Sequence, residues 1–456
     1  MKNISIKNSI NTNIKYFIEK KRWRDIKTSL LKLPVQDIAE IIKNLNLNER
    51  IIVFRLIPKN IQADVFAELD FNIQEELINN FTDIQLKKII TELDPDDRTE
   101  LFETLPGILL QKLLNLLPEK ERKEALKLLG FPENSVGRLM TPDYVAIRPD
   151  YTVKKVLSHI RNYGIDAETI NIIYVVDNNW RLIDEIPLRK IILNSPNKKI
   201  KSLMDYNVIS INAYNDQEEA IKIMKKYDLI SLPVVDEDGI LIGIVTIDDI
   251  LDVIEEENTE DFAKVSAIKT EKIGADFLTH LKDISLTKLY KSRVTWLLAL
   301  LIMDLITGGI IQSFEQTIAK YVVLVTFLPV LVDTAGNAGS QSATLIIRAM
   351  AVGDIVMKDW LFLLGREFII SLALGITMGI GISIMGFVRS KSILITEVVI
   401  ITMIVNVMVG SIIGVLLPFI FTKFKKDPAS ASTPLITTFA DIIGTGIYLS
   451  IAYLLL

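Results

Sequence analysis

Residues 231–262 read SLPVVDEDGILIGIVTIDDILDVIEEENTEDF. A short apolar run ends in Val234-Val235-Asp236. Asp238-Gly239 then supplies the residue pair that a tight hairpin favours. The strand GILIGIVTI follows, and from Asp248 the pattern becomes helical. Strand, hairpin, strand and helix make a compact α+β unit. This unit completes a longer module that opens at Leu203-Met204 and runs through an extended stretch, NVISINA, and a helical one, QEEAIKIMKKYD. The same order occurs once before. Leu139-Met140 leads through YVAIRP and VKKVLSHIRNYG to Val175-Val176-Asp177, in a copy about five residues longer. The centre of the chain is therefore a tandem repeat.

Upstream, from about residue 13 to 130, apolar residues fall at helical spacing and strand patterns are almost absent. Leu33-Pro34, Ile57-Pro58, Leu105-Pro106 and Leu117-Pro118 punctuate this region. Proline ends one helix and suits the start of the next, which predicts short stacked helices in a small superhelix. Downstream the composition changes. Arg293 to Leu456 holds 10 Lys+Arg and 9 Asp+Glu, while residues 1–292 hold the other 88 charged residues. Five apolar segments, near 294–314, 319–346, 360–387, 393–422 and 433–456, are each long enough to cross a bilayer. Mean hydropathy is +0.34 despite 23% charged residues, and a polar half followed by an apolar one excludes a wholly soluble protein. With the N-terminal half in the cytoplasm, inner loops carry Arg348, Lys358, Arg366, Lys423, Lys425 and Lys426. Outer loops carry Lys320, Arg389 and Lys391, so the positive-inside rule favours this orientation, with Leu456 outside. The first residues, MKNISIKNSINTNIKYF, lack the apolar core of a cleaved signal peptide.

Cysteine is absent and there are two histidines, His159 and His280, which argues against disulfides, zinc, haem and Cys- or His-based catalysis. No His-Glu-x-x-His, Gly-x-Ser-x-Gly or phosphate-binding Gly-x-x-x-x-Gly-Lys loop is present, so neither an enzyme nor an ATPase is expected. A net charge of −5 with no basic stripe speaks against nucleic acid.

Acids supply the chemistry. Between Tyr227 and Ala263 there are twelve Asp and Glu and no Lys or Arg. Asp249, Asp252, Glu256 and Glu260 lie three and four residues apart and share one helix face, where like charges repel. LDPDDR, with Asp94, Asp96 and Asp97, offers a second acidic surface. Two such surfaces docked together need a cation between them, and carboxylates without His or Cys suit Mg²⁺ or Ca²⁺; no EF-hand loop is present. In the membrane half a buried charge costs about 2.5–3.5 kcal/mol, so acids there mark a path. Asp304, Asp333 and Asp441 lie in the first, second and fifth apolar segments. Asp441 shares a face with Thr437 and Thr438, and Pro434 is expected to break the helix and free carbonyls just before them. The competing reading pairs Asp441 with a buried cation such as Arg366. Gly336 and Gly339 are read as close helix packing.

FPENSVGRLMT (131–141), VTIDDILDVIEEENTEDF (245–262), PVLVDTAGNAGSQSATLIIRA (329–349) and DPASASTPLITTFADIIGTGIY (427–448) together resemble the MgtE family of magnesium channels. The resemblance implies a multidomain architecture. It comprises an all-α superhelical N-domain (1–135), an α+β tandem pair of CBS modules (136–200 and 201–262), a connecting plug helix (263–292) and an α-helical membrane domain with five transmembrane helices (293–456). It implies a homodimer in the cell (inner) membrane that passes Mg²⁺ and is closed by cytosolic Mg²⁺. Asp441 becomes the pore acid and Asp427 a secondary acid. Glu218, Asp228, Asp249, Asp252, Glu257, Glu260 and Asp261, with Asp94, Asp96 and Asp97, become sensor acids. Mg²⁺ is then both cargo and regulator. Lys190 stands where an Asp would hold a ribose hydroxyl, which counts against ATP. The alternatives are a Mn²⁺ or Co²⁺ transporter of the same build, and a membrane-anchored nucleotide sensor that transports nothing.

Overall fold

The computed structural model describes residues 14–268 and 286–456, except 15, 19 and 166. Most of the expected connecting helix, with His280, lies outside the described residues. The chain forms two compact units, Met1–Ile254 and Glu255–Leu456.

The first unit begins with short helices stacked in a twelve-residue period. Leu45, Ile57, Leu69, Phe81, Leu93, Leu105 and Leu117 recur at that spacing, each one or two residues past a helix end, and all are buried. The next residue in each case opens a new helix as its N-cap: Asn46, Pro58, Asp70, Thr82, Asp94, Pro106 and Pro118. The inward residue is extended (Leu105 at φ −76°, ψ 143°), the geometry that a following proline imposes and that Asn, Asp or Thr also permits before a cap. Asn46 closes a capping box with Glu49. The Leu-Pro and Ile-Pro pairs of the sequence are the subset of this repeat in which the cap is proline.

The two copies of the central repeat fold alike. In the first, β1 (Ala146–Ile147) runs parallel to β2 (Ile172–Val176), which pairs antiparallel with β3 (Leu182–Pro187). In the second, β4 (Ile211–Asn212) runs parallel to β5 (Ser231–Val235), which pairs antiparallel with β6 (Leu241–Thr246). Each Val-Val-Asp motif now has a mechanical reason. Asp177 Oδ1 accepts from Asn179 N and Arg181 N at 2.8 and 2.9 Å, and Asp236 Oδ1 accepts from Asp238 N and Ile240 N at 3.0 and 2.9 Å. These bonds shape the two hairpins. Both hairpins then need a left-handed residue. Gly239 takes it at φ 78° and Trp180 at φ 64°, where the indole lies 5.3 Å from the Arg148 guanidinium. The sheets meet through Tyr174, Val176, Leu241 and Ile244, and Tyr174 shares a buried 2.9 Å hydrogen bond with Ser231. The helices Val153–Tyr163 and Gln217–Tyr227 are equal in length, so the extra five residues of the first copy fall in the loop 164–171. From Ile247 one helix runs to Val265.

Among the described residues, the second unit contains five helices apolar and long enough to cross a membrane: Leu286–Ser313, Val322–Ala351, Met357–Ser390, Ile393–Lys423 and Thr433–Leu455. The second and fourth touch backbone to backbone. A Cβ on Gly414 would lie 2.0 Å from the Gly339 carbonyl oxygen, and one on Gly410 would lie 2.2 Å from that of Ala335. Gly339 serves this packing against Gly410, and Gly336 lets the second span approach Thr437 of the fifth. The buried Asn406 amide donates to the carbonyls of Leu331 and Gly444, joining the second, fourth and fifth spans. Gly414→Val is expected to destabilise this unit by at least about 3 kcal/mol, since two backbones must part. Gly381→Ala, with nothing within 4 Å, is the neutral control. Thermal unfolding in detergent compares them; equal midpoints would contradict the close approach.

Candidate cation sites

The acidic surfaces expected to dock do come together within the first unit. Asp94 caps the helix Pro95–Thr104, and Asp96 and Asp97 fill its first turn, where the positive helix end favours anions. Asp249 lies in the first turn of the helix Ile247–Val265 and is fixed there by Thr246, whose Oγ1 donates to its Oδ2 at 2.7 Å. Burial pushes Asp96 well above the usual carboxylate range, reinforced by Asp249, Asp97 and Glu168. Burial, with Asp94, Glu100, Asp249 and Glu168, raises Asp97 to about 7. Burial raises Asp249 to about 6 against the pull of Thr246, with Asp248 and Asp252 adding to the rise. Asp94 is raised by lost water and Asp64, with Arg98 opposing.

Glu168 is the member that sequence reasoning missed. It is pushed up to about 7, first by loss of surrounding water and then by Asp94, Asp249, Asp248 and Asp143. It sits in the 164–171 loop, and its backbone N–H donates to the Asp143 carbonyl at 2.8 Å. The length difference between the two copies was the signal that could have found it.

Crowded carboxylates of this kind fit a hard dication that keeps part of its water. Among the described residues, no three carboxylate or imidazole groups are close enough to enclose a bare metal ion, so retained water must complete any coordination shell. A pH dependence follows. These groups titrate higher folded than unfolded, so in the metal-free protein their contribution to stability is fully present below about pH 4, where they are protonated in both states. That contribution is lost as pH rises through 6 to 7. Thermal midpoints in EDTA are expected to fall from pH 5 to 8 and Mg²⁺ to restore them. Apparent Mg²⁺ affinity is expected to weaken about tenfold per pH unit below about pH 6 for each proton displaced. A flat midpoint across that range would contradict the crowding.

Other expected sensor acids stand apart from this cluster or are otherwise engaged. Glu218 pairs with Lys222 at 2.9 Å. Asp228 is exposed and ends the helix Gln217–Tyr227 in a left-handed conformation. Asp252 lies near enough to Asp249 to act on its charge. Glu257 and Asp261 lie on the same helix and each interacts with a neighbour. Glu260 and Asp427, in the second unit, both contact Lys264 Nζ at 2.6 Å. Burial pulls Lys264 down, but its bonds to Asp427 and Glu260 outweigh this and hold it above its ordinary pKa.

In the membrane unit, Asp441 is half-buried on the fifth span, and Asp304 and Asp333 lie near enough to act on its charge. Asp333 also accepts from Asn337 Nδ2 at 3.1 Å. Three carboxylates from the first, second and fifth spans thus face one neighbourhood. Arg366 instead lies 5.9 Å from the Phe362 ring. Pro434 does not break a helix. It sits in the first turn of Thr433–Leu455, where its missing N–H costs nothing, and its carbonyl accepts from Thr437 and Thr438 at 2.9 and 3.0 Å.

Comparison with known proteins follows the same division. Residues 328–451 match a family profile described as a divalent cation transporter, MgtE. Residues 33–134 match the MgtE intracellular N domain, and 136–195 and 200–256 match CBS domains. The magnesium transporter MgtE of Bacillus subtilis is 34% identical over 94% of this chain and 93% of its own length. That of Thermus thermophilus is 39% identical over 74% and 73%. A crystal structure of the cytosolic domain of the Mg²⁺ channel MgtE in complex with ATP is 35% identical, with a TM-score of 0.51 over 53% of this chain and 99% of its own. The named relatives are transporters and not enzymes. With its N-domain, CBS pair and five-helix membrane region all in order, this chain belongs to the MgtE family of magnesium transporters.

Proposed function

We propose that the protein is a Mg²⁺ channel of the cell membrane, acting as a homodimer and closed by cytosolic Mg²⁺. Asp441 carries the conduction half of this reading. It is a carboxylate within an apolar span, and its acidic neighbours Asp304 and Asp333 make a negative neighbourhood that suits a water-clad dication. The inside-negative potential drives entry by about 4.6 kcal/mol per 100 mV for a divalent ion, so no ATPase is required. The N-domain (1–135), the CBS modules (136–200 and 201–262) and the connecting segment (263–292) lie in the cytoplasm, the pore domain is 293–456, and Leu456 lies outside.

Asp94, Asp96, Asp97, Glu168 and Asp249 hold the regulatory ion, with Asp252 beside them. Glu218, Asp228, Glu257 and Asp261 contribute at the other acidic surfaces. Without Mg²⁺ the carboxylates repel and the assembly loosens. With Mg²⁺ they are bridged and the pore shuts. ATP is bound by the similar cytosolic domain, but Lys190, standing where an Asp would hold a ribose hydroxyl, counts against it as a second ligand for this CBS pair. Ion flux into reconstituted vesicles, with internal Mg²⁺ varied, tests both halves of the proposal. Flux that is absent, or that ignores internal Mg²⁺, would refute the corresponding half. Carboxylates and water also accept Mn²⁺ and Co²⁺, and competition in the same assay ranks the three ions.

A further inference from the structure

The helix Ile247–Val265 ends in Lys264-Val265, and both residues are engaged. Val265 packs against the apolar cluster of Ala343, Ile347, Ala429, Ala431 and Ile436. Lys264 Nζ lies 2.6 Å from Glu260 Oε1 and 2.6 Å from Asp427 Oδ2. Asp427 Oδ1 in turn accepts from Ala429 N at 2.8 Å, so both its oxygens are committed. Asp427 caps the short turn Pro428–Ser430 that leads into the fifth span, Thr433–Leu455. Glu260 and Asp427 were both expected to ligate a metal. The space between them holds an ammonium instead.

We infer that Lys264 is a chain-borne cation that closes the Glu260–Asp427 pair in place of a metal ion, latching the end of the acidic helix to the turn that starts the pore span. Two facts support this. One ammonium sits at hydrogen-bonding distance from both carboxylates, the arrangement a bridging ion would adopt. The next residue buries an apolar side chain in the same junction, so charge and packing hold the same point. A dication could enter only by displacing Lys264 from two charge-assisted bonds. The junction is then held at any Mg²⁺ concentration, and ion sensing is left to the acid cluster around Asp97 and Asp249.

The inference deepens the gating reading and depends on it only for its effect on flux. The test uses the full-length protein in detergent and in vesicles, with Lys264→Met, Lys264→Arg and the pair Lys264→Met/Asp427→Asn. Lys264→Met leaves two carboxylates facing each other. Its thermal midpoint in EDTA is expected to fall below wild type, and Mg²⁺ is expected to raise it by more than in wild type, because the vacated pair now takes an ion. Adding Asp427→Asn removes the repulsion and should recover the EDTA midpoint and abolish the extra Mg²⁺ response. Internal Mg²⁺ for half-inhibition of flux should rise about tenfold in Lys264→Met, from the loss of the charge-assisted contact to Asp427 across the junction, and stay within about twofold in Lys264→Arg. A Lys264→Met protein with the wild-type midpoint and wild-type Mg²⁺ response would overturn the latch. The expected midpoints together with flux that no internal Mg²⁺ inhibits, in wild type as well, would uphold the latch and overturn the gating reading instead.

Discussion

Asp441→Asn is expected to reduce Mg²⁺ flux at least thirtyfold while leaving the protein folded. A dication about 5 Å from a carboxylate is held by about 6–7 kcal/mol at an effective dielectric near 20. If only a third survives as net stabilisation, about 2 kcal/mol, ion occupancy still falls by a factor of about thirty. In a symmetric pair both copies lose the group at once, and the effect grows. The substitution keeps the volume of the side chain, and Thr437 and Thr438 keep their bonds to the Pro434 carbonyl, so the helix start is undisturbed. Flux into liposomes is the measurement, with an unchanged thermal midpoint as the control. Asp441→Glu, which retains the charge, should recover part of the flux. Near-normal flux in Asp441→Asn would remove this residue from the ion path.

The second large effect concerns closure. Replacing Asp96, Asp97 and Asp249 by Asn and Glu168 by Gln is expected to leave a channel that stays open at saturating internal Mg²⁺. Moving a gate from 1:99 to 99:1 needs about 5.5 kcal/mol of differential binding. One ion at a hundred times its dissociation constant supplies about 2.7 kcal/mol, so two such ions suffice, and losing most of their donors forfeits the shift. The neutral variant should also be more stable than wild type in EDTA at pH 8, because four crowded charges are gone, and should gain little from Mg²⁺. Inhibition by internal Mg²⁺ that is unchanged from wild type would show that the regulatory ion binds elsewhere.

Much of this was legible from local patterns. The repeat around Val175-Val176-Asp177 and Val234-Val235-Asp236 could be read because each motif builds its own hairpin with bonds to residues two and four positions on. The spans could be read because bilayer thickness fixes their length and polarity. Charge marked Asp96, Asp97 and Asp249 as two acidic faces that would need a cation if they docked, but like charges repel, so their meeting was not legible before the fold. What escaped was long-range. Lys264 and Asp427 are 163 residues apart, and nothing near either announces the other. Asp304 and Asp333 could be placed beside Asp441 only once the first, second and fifth spans had been packed. Glu168 hid in a loop whose one oddity was its length. Pro434 was misread because proline ends one helix and begins another with equal ease, and only its position relative to Ser432 decides.

The buried residues from Leu45 to Leu117 also constrain how this region can change in length. Excision of a whole winding would leave each inward leucine above its neighbour and each cap at the mouth of its helix. Excision of half a winding would turn apolar residues to solvent and drive caps into the interior. The stacked superhelix therefore has a quantum of length, and homologous chains that differ in this region should differ by multiples of it.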